Sequence, residues 1–272
     1  MKDRFQREQV VLLASSPRSG STWLSNVLGS ALNYVTVFEP LHLDHVPAAR
    51  AAGFEWRTYR HERAEWNDGV AFLESVFRGN LINTWTAREI AADAAMNSSG
   101  LLVKCVRATR LLPWISRHFP EVKIIYLVRN PLAVIASQLQ ARDWQRAKRP
   151  LRPEFMAHSQ RAAEILEDLQ GTSDFLAAQW ALDQWVAKHT PSPSWLEVHY
   201  ESLRAEPLLE LERIQQHLGG PFDMTRAVKH LEVVSRTSTR KTAPLQDDWR
   251  GTISKEQEQR INEIVAAFGT IN

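Results

Sequence analysis

The sequence predicts an α/β fold in which helices flank a mostly parallel sheet. One observation is the segment Val10–Ala14, five consecutive apolar residues joined by a small-residue loop to a helical pattern that begins at Ser21. Another is the segment 122–128 (VKIIYLV), which is β-branched, nearly continuous and typical of a strand buried on both faces. Helical spacing of apolar residues resumes after it, from Pro131 onward. Strand and helix signals that alternate in this way indicate α/β architecture.

Length and composition indicate one globular domain spanning residues 1–272. No linker rich in Pro, Gly or Ser divides the chain, and 44% hydrophobic with 24% charged residues is the balance of a globular protein. A net charge of +2 does not call for nucleic acid as a partner, and the sequence leaves the oligomeric state open. The single cysteine, Cys105, fits a reducing compartment. We find no signal peptide and no apolar run of membrane-spanning length, and therefore expect a cytoplasmic protein.

The loop between the first strand and the first helix has the character of an anion site. A helix N-terminus presents unpaired N–H groups and a positive dipole end, and Arg18 adds a planar cation that can hold phosphate or sulfate oxygens. The loop departs from the Walker A pattern, because Ser15 replaces its first glycine and Ser21 its lysine, although Gly20 and Thr22 match. The alternative is a plain turn that joins a buried strand to a core helix.

A carboxylate follows the second predicted strand, Tyr34–Phe38. Because ligands gather at the carboxyl ends of strands in open α/β sheets, we expect Glu39 on the same edge as the Arg18 loop. A solvated carboxylate at a strand end is the alternative. His42 and His45 come next, but without a further clustered ligand they do not predict a metal site.

Two more predicted strands contain a basic residue or end next to one. The third strand, 101–107, carries Lys104 on an apolar face, where an ammonium needs either an anionic partner or a path to water. The strand at 122–128 runs into Arg129 and then into a helix that carries Ser137. We interpret this segment as a second anion site. The alternative is an ordinary connection between a strand and a helix.

The remaining elements are assigned from spacing and caps. A basic run at 142–152 is typical of a solvated face, with an anionic acceptor site as the alternative. The polar stretch 236–250 holds Arg240 and Lys241 and is interpreted as a mobile loop. The other assignments are a helix around Val70 to Phe77 capped at Asn67 or Asp68, two helices within 153–190 with the second capped at Ser173, a strand at 195–200, a helix at 206–218, and a last helix with a capping box from Ser254.

These segments together resemble the sulfotransferases that use 3′-phosphoadenosine 5′-phosphosulfate (PAPS) and release 3′-phosphoadenosine 5′-phosphate (PAP). The stretch SSPRSGSTWL is similar to their 5′-phosphosulfate loop, IIYLVRNPLAVIAS to their 3′-phosphate motif, and TRKTAPLQDDWRGTIS, more loosely, to their C-terminal cofactor loop. FEP at 38–40 resembles the carbohydrate branch in particular. The resemblance implies the cofactor-binding residues Pro17, Arg18, Ser19, Gly20, Ser21, Thr22, Trp23, Arg129, Ser137, Arg240 and Lys241.

The resemblance implies a P-loop-like sheet with helical insertions that bind the acceptor. It also implies transfer of the sulfuryl group of PAPS to a hydroxyl of a glycan, or of a glycosylated or other small molecule, without a metal ion. By the same resemblance Glu39 is the base, while Lys104 and Arg18 stabilise developing charge. The catalytic histidine of aryl and steroid members is missing, because this sequence reads Lys104-Cys105-Val106 there, which leaves Glu39 with His42 as its rival.

Two other functions remain open at this point. The first is a P-loop phosphotransferase such as a nucleotide-dependent kinase, against which stand the missing Walker lysine and the second anion site. The second is a non-catalytic PAP-binding protein, against which stand Glu39 and Lys104 at predicted strand ends. The membrane anchor and several cysteines of the Golgi carbohydrate enzymes are missing, which indicates a soluble, bacterial type of relative.

Overall fold

The computed structural model describes residues 4–90, 97–141, 160–190, 193–233 and 248–269. Within these residues the chain forms a five-stranded, fully parallel sheet in the order β2-β3-β1-β4-β5, flanked by helices. The expected P-loop-like α/β class is thereby confirmed. The strands are β1 (Val10–Ser15), β2 (Tyr34–Phe38), β3 (Gly100–Cys105), β4 (Lys123–Val128) and β5 (Leu196–His199).

Helices separate the strands and cover both faces of the sheet. In the described part of the chain the α-helices are α1 (Ser21–Leu32), α2 (Pro47–Ala51), α3 (Asn67–Phe77), α4 (Leu112–His118), α5 (Pro131–Gln140), α6 (Gln160–Glu167), α7 (Thr172–Lys188), α8 (Tyr200–Ala205), α9 (Pro207–Leu218), α10 (Met224–Leu231) and α11 (Lys255–Ala267). Short 3₁₀ helices occur at Arg7–Gln9, Thr109–Leu111 and Asp248–Gly251.

Alternate residues of the central strand β1 enter two separate hydrophobic cores. Val10, Leu12 and Ala14 belong to the larger core, to which α3, α4, α5, α6, α7 and α11 contribute. Val11 and Leu13 belong to the smaller core with α1, α8, α9 and α10. Because helices cover both faces, β1 is buried along its whole length, as its uninterrupted apolar run requires. The loop that follows β1 therefore starts from a rigid base.

The carboxyl ends of the strands lie along one edge of the sheet, because all pairings are parallel. Ser15 is in register with Leu127, and Phe38 with Lys104. From β1 the chain passes through α1 to β2 on one side, whereas β4 leads to β5 on the other side. The crevice at the ends of β1 and β4 is therefore the topological switch point, where open α/β sheets bind ligands.

Two of the three expected helix caps are wrong. Helix α3 begins at Asn67 itself, so neither Asn67 nor Asp68 caps it, and α7 begins at Thr172, which places Ser173 inside the first turn. A cap is worth only about 1 kcal/mol, so packing of the helix face overrides it. The capping box at Ser254 is confirmed, with its hydroxyl accepting from the N–H of the third helical residue.

Candidate active site

A tight turn forms the loop between β1 and α1. The N–H of Ser19 donates to the carbonyl of Ser16 at 3.3 Å, and Pro17 and Arg18 occupy the two central positions. Arg18 has a φ of 70°, as the third residue of a type II turn requires, although glycine is the usual occupant there. A residue that has a Cβ is strained in the left-handed region, and such strain gathers at functional sites.

Two aromatic rings close over the end of this loop. Gly20 precedes α1 with a φ of 93°, and a Cβ added to it would lie 2.7 Å from Cε2 of Tyr200, so a larger residue would not fit. The Tyr200 ring meets that of Trp23 edge-on, with 5.7 Å between the centroids. Trp23 is fixed in turn by its indole N–H, which donates to the carbonyl of Leu231 at 3.1 Å. Tyr200, expected at the end of a strand, instead opens α8.

The start of α1 has features that are typical of an anion site. Ser19, Ser21 and Thr22 are buried, and the first turn of α1 carries no acidic residue. The buried Oγ of Ser19 has no hydrogen-bond partner among the described residues. Buried hydroxyls normally find a partner, so this atom fits a site that a ligand oxygen completes. With the helix dipole behind it, the loop matches the chemistry of a phosphate or sulfate group.

The two segments that the sequence predicts to be anion sites lie against each other in the structure. Nε of Arg18 donates to Oγ of Ser137 at 3.1 Å, although the two residues lie 119 positions apart in the chain. Nη1 of Arg129 donates to the carbonyl of Arg18 at 3.2 Å, and its guanidinium lies 4.3 Å from the centre of the Tyr200 ring. Gln138 donates to the carbonyl of Pro17 at 2.9 Å. Helix α5 and the loop after β1 therefore face each other across the switch point.

Glu39 lies buried at the end of β2 among basic partners. Its carboxylate accepts from Nζ of Lys104 at 2.6 Å, from Nη1 of Arg107 at 2.9 Å, and from the N–H of Val106 at 3.2 Å to each oxygen. Burial raises the pKa of this carboxyl, but the charges of Lys104 and Arg107 outweigh it and hold the pKa below its usual value. Glu39 is therefore ionised at neutral pH.

Arg18 and Glu39 also have unusual backbone angles. In the described part of the chain three non-glycine residues have a positive φ: Arg18, Asn33 and Glu39. Asn33 ends α1 in the left-handed conformation that often terminates a helix. Glu39, with a φ of 46°, ends a strand, where the fold gives no such reason. The two strained residues that remain, Arg18 and Glu39, are two of the three residues expected to carry the chemistry.

His42 follows Glu39 at the beginning of an aromatic cluster. Its N–H donates to the carbonyl of Glu39 at 3.1 Å, and its ring packs against those of His45, Trp56 and Trp85 with centroid distances of 4.5 to 5.0 Å. Burial and the charge of Arg107 lower the pKa of His42 to about 4. The imidazole is therefore neutral at physiological pH, and it is a weak base.

A second buried carboxylate, which the sequence analysis missed, lies behind the loop. Asp183 of α7 accepts from Oγ of Ser16 at 3.1 Å, from Arg57 at 2.9 Å and from Arg110 at 2.9 Å. Arg57 also donates to the carbonyl of Val106 at 3.2 Å. Asp183 shares one helix face with Leu176 and Trp180, so the signal was a charged residue within an apolar stripe.

The structure brings together most of the residues that the sequence analysis selected. Pro17 to Trp23 form the loop and the start of α1, and Glu39, Lys104, Arg129 and Ser137 lie around the same edge of the sheet. Arg240 and Lys241 lie outside the described residues. Arg57, Arg107, Arg110 and Asp183 are additions from the structure. Among the described residues, the basic side chains that contact Glu39 are Lys104 and Arg107, and those that contact Asp183 are Arg57 and Arg110.

The described part of the chain contains neither a metal-binding cluster nor a membrane-spanning helix. Among the described residues no group of three or more His, Cys, Asp and Glu side chains is placed to hold a metal ion. Within the same residues no helix combines the length and the apolar character that crossing a bilayer would need.

Comparisons with known proteins concern the family and the fold of the chain. A family model described as "Sulfotransferase family" matches residues 11–224, which is most of the chain. No curated protein sequence matches this one. Among solved structures, the sulfotransferase domain of the Synechococcus olefin synthase is 21% identical, with 97% of this chain and 95% of that chain covered and a TM-score of 0.52. That likeness shows the fold.

Two other solved structures are similar over nearly the whole chain. The sulfotransferase domain from the curacin biosynthetic pathway is 19% identical, with 94% of this chain and 96% of that chain covered and a TM-score of 0.47. A mouse sulfotransferase complexed with PAP is 15% identical, with 96% and 85% covered and a TM-score of 0.46.

Proposed function

The chain belongs to the sulfotransferase family, and we propose that it transfers the sulfuryl group of PAPS to a hydroxyl group of an acceptor and releases PAP. The observation that carries the proposal is the contact between Arg18 and Ser137, which joins a loop suited to one anion with a helix suited to a second. PAPS carries two such groups, the 5′-phosphosulfate and the 3′-phosphate. We also propose that residues 1–272 form one domain.

The donor would be held by the loop and by helix α5. The N–H groups from Gly20 to Thr22 and the guanidinium of Arg18 suit the 5′-phosphosulfate, since an arginine presents paired donors to sulfate or phosphate oxygens. Arg129 and Ser137 suit the 3′-phosphate. Trp23 lies at the same loop, and Arg240 and Lys241 are proposed to complete the donor site.

The reaction needs a base, charge stabilisation and alignment. Glu39 takes the proton of the acceptor hydroxyl as its oxygen forms the new bond to sulfur. The bond between sulfur and the bridging oxygen breaks, and its electrons leave on the phosphate of PAP. Lys104 and Arg18 stabilise the charge that develops on the bridging and equatorial oxygens. Sulfuryl transfer, like phosphoryl transfer, depends mainly on such positioning and electrostatics.

Glu39 must give up a contact to act as the base. Its two oxygens have about four lone-pair sites, and four contacts from Lys104, Arg107 and Val106 occupy them among the described residues. An acceptor hydroxyl can approach only when one cation moves away. The negatively charged sulfuryl group of the donor is a competing partner for Lys104 and Arg107, so donor binding would free the carboxylate for the acceptor.

The proposed acceptor is a glycan or a glycosylated small molecule. The segment Phe38-Glu39-Pro40, which resembles the carbohydrate branch, supports this class. We also propose a cytoplasmic location, because the single cysteine suits a reducing compartment. Cys105 is buried, and burial raises the pKa of its thiol to about 12, so the thiol is protonated at neutral pH.

Two alternatives are less well supported. A kinase-type phosphotransferase would need the Walker lysine, whose position is held by Ser21, and would have no use for a second anion site at Ser137. A binding protein without catalysis would have no reason to hold the buried, strained carboxylate of Glu39 between Lys104 and Arg107. Neither alternative uses all of the site.

The direct test is turnover with a panel of acceptors. The enzyme and PAPS are incubated with sugars, glycosides and phenols, and mass spectrometry follows the gain of one SO₃ group. We expect sulfated product from at least one hydroxylated sugar or glycoside, and formation of PAP in equal amount. Transfer of phosphate from ATP without any transfer from PAPS would contradict the proposal and favour the kinase alternative.

A further inference from the structure

Asp183 is the most deeply buried carboxylate near the proposed donor site. Its exposed fraction is 0%, and it binds two guanidinium groups and the hydroxyl of Ser16. Tyr126 of the central sheet donates to its main-chain carbonyl at 3.5 Å. The proposed reaction assigns this carboxylate no contact with donor or acceptor, and its three partners among the described residues are all groups of the protein.

Stability alone is a poor reason for such a cluster. Burial lowers the pKa of Arg110, which reflects the desolvation of its charge despite its contact with Asp183. A buried ion pair often stabilises a fold no more than well-packed apolar side chains of the same size would. The position of the cluster therefore matters more than its stability, because it contacts Ser16, the first residue of the loop.

The loop needs external support to keep its shape. Arg18 holds a strained φ of 70°, and strained backbone persists only where the surroundings over-determine it. Three tethers from outside the loop reach successive residues: Asp183 holds Ser16, Gln138 holds Pro17 and Arg129 holds Arg18. Ser16 also supplies the carbonyl that closes the turn with Ser19 at 3.3 Å.

The same carboxylate connects the loop to the surroundings of Glu39. Arg57 bridges Asp183 and the carbonyl of Val106, and the N–H of Val106 donates to the carboxylate of Glu39. A continuous chain of hydrogen bonds thus runs from the donor loop to the proposed base. Second-layer contacts of this kind orient the groups that touch a ligand, and their loss typically weakens binding or activity.

We propose that Asp183 is a positioning residue, which fixes the donor loop through Ser16 and the surroundings of Glu39 through Arg57. This inference rests on the proposed function, since it takes the loop to be the donor site. Asp183 acts through these neighbours and does not contact the donor.

The test uses calorimetric titration with PAP on the full chain. The variants are Asp183→Asn, Ser16→Ala and the double variant, with Asp174→Asn as the matched control. Asp174 is also buried on α7, but it pairs with Arg260 and accepts from the N–H of Gln170, away from the loop. Thermal melts of every variant define a temperature at which each is folded.

We expect Asp183→Asn and Ser16→Ala each to weaken PAP binding by about 10- to 100-fold, by analogy with the groups that orient metal ligands, whose loss has an effect of this size. The double variant should bind PAP as tightly as whichever single variant binds it less tightly, because both changes remove the same tether. Asp174→Asn should lower the melting temperature and leave PAP affinity unchanged, so a general loss of packing is separated from loss of positioning.

Other outcomes overturn the inference in distinct ways. If Ser16→Ala, which leaves both ion pairs of Asp183 intact, binds PAP normally, the contact between Asp183 and Ser16 does not support the donor loop. This result would overturn the inference even if Asp183→Asn does not fold. Losses that multiply in the double variant would show that Ser16 and Asp183 act separately. If the unaltered protein does not bind PAP, the proposed function fails and this inference fails with it.

Discussion

Replacing Glu39 by glutamine should destabilise the protein more than any ordinary surface substitution. The side chains of Glu39, Lys104 and Arg107 are 4%, 6% and 12% exposed, so solvent does little to screen their charges. Glutamine can still accept from the N–H of Val106, but its amide group would point donors at a buried cation. Removing one member of a buried ion pair costs about 3–5 kcal/mol, because the remaining charges lose their partner.

The measurement is thermal unfolding followed by circular dichroism at neutral pH. At about 2–4 °C per kcal/mol for chains of comparable size, the melting temperature of Glu39→Gln should fall by roughly 6–20 °C. Glu74→Gln is the matched control, since Glu74 also pairs with two arginines, Arg7 and Arg78, but its side chain is 19% exposed. The control should lose about 1 kcal/mol or less. Equal losses in the two variants would show that burial does not strengthen the ion pairs of Glu39.

In acid, the difference in unfolding free energy between the original protein and Glu39→Gln should become small. The folded pKa of Glu39 lies below the ordinary value of 4.5, since burial raises it but Lys104 and Arg107 lower it by more. The contribution of the ionised carboxylate is therefore fully present above pH 4.5 and is lost as the pH falls through the folded pKa. The gap in unfolding free energy should be constant near neutrality and narrow in acid. A gap that widens in acid would contradict the assignment.

Three further predictions concern the donor and the base. Arg129→Ala should weaken PAP binding by about 1.5–3 kcal/mol, as for hydrogen bonds to charged groups, and barely change binding of adenosine 5′-phosphosulfate; equal losses in calorimetry would remove Arg129 from the 3′-phosphate. Arg18→Ala should weaken binding of the 5′-phosphosulfate and slow turnover together, with Arg18→Lys recovering part of both in steady-state kinetics, since a point charge replaces a paired donor; unchanged turnover in the alanine variant would exclude this role. Glu39→Gln should lower kcat by roughly 10²–10⁴-fold, the usual contribution of a general base, with His42→Asn near normal; the reverse pattern would make His42 the base.

The sheet was predictable because its signals are local. Each predicted strand lies within about two residues of an observed one, since a short buried strand is a continuous apolar run. The strand order was not predictable, because it depends on which helix faces pack together. Lys104 illustrates the difference between the two kinds of information. The sequence required either an anionic partner or a path to water, and the structure supplies the partner, Glu39, at 2.6 Å.

The site was predictable only where it follows the ends of strands. The positions of Arg18, Glu39 and Arg129 follow from the rule that parallel strands end at one edge. The contact between Asp183 and Ser16 joins residues 167 positions apart, and nothing in the local pattern names the partner. A charged residue on an apolar helix face does predict that some partner exists, which is the signal Asp183 offered.

The proposed function requires that the crevice between the loop after β1 and helix α5 binds a nucleotide with a 3′-phosphate. Calorimetric titration of the unaltered protein with PAP and with ATP in the presence of Mg²⁺ measures this preference. We expect PAP to bind at least about tenfold more tightly than ATP, because Arg129 and Ser137 would have no phosphate to bind on the ribose of ATP. Tighter binding of ATP than of PAP would contradict the proposed function.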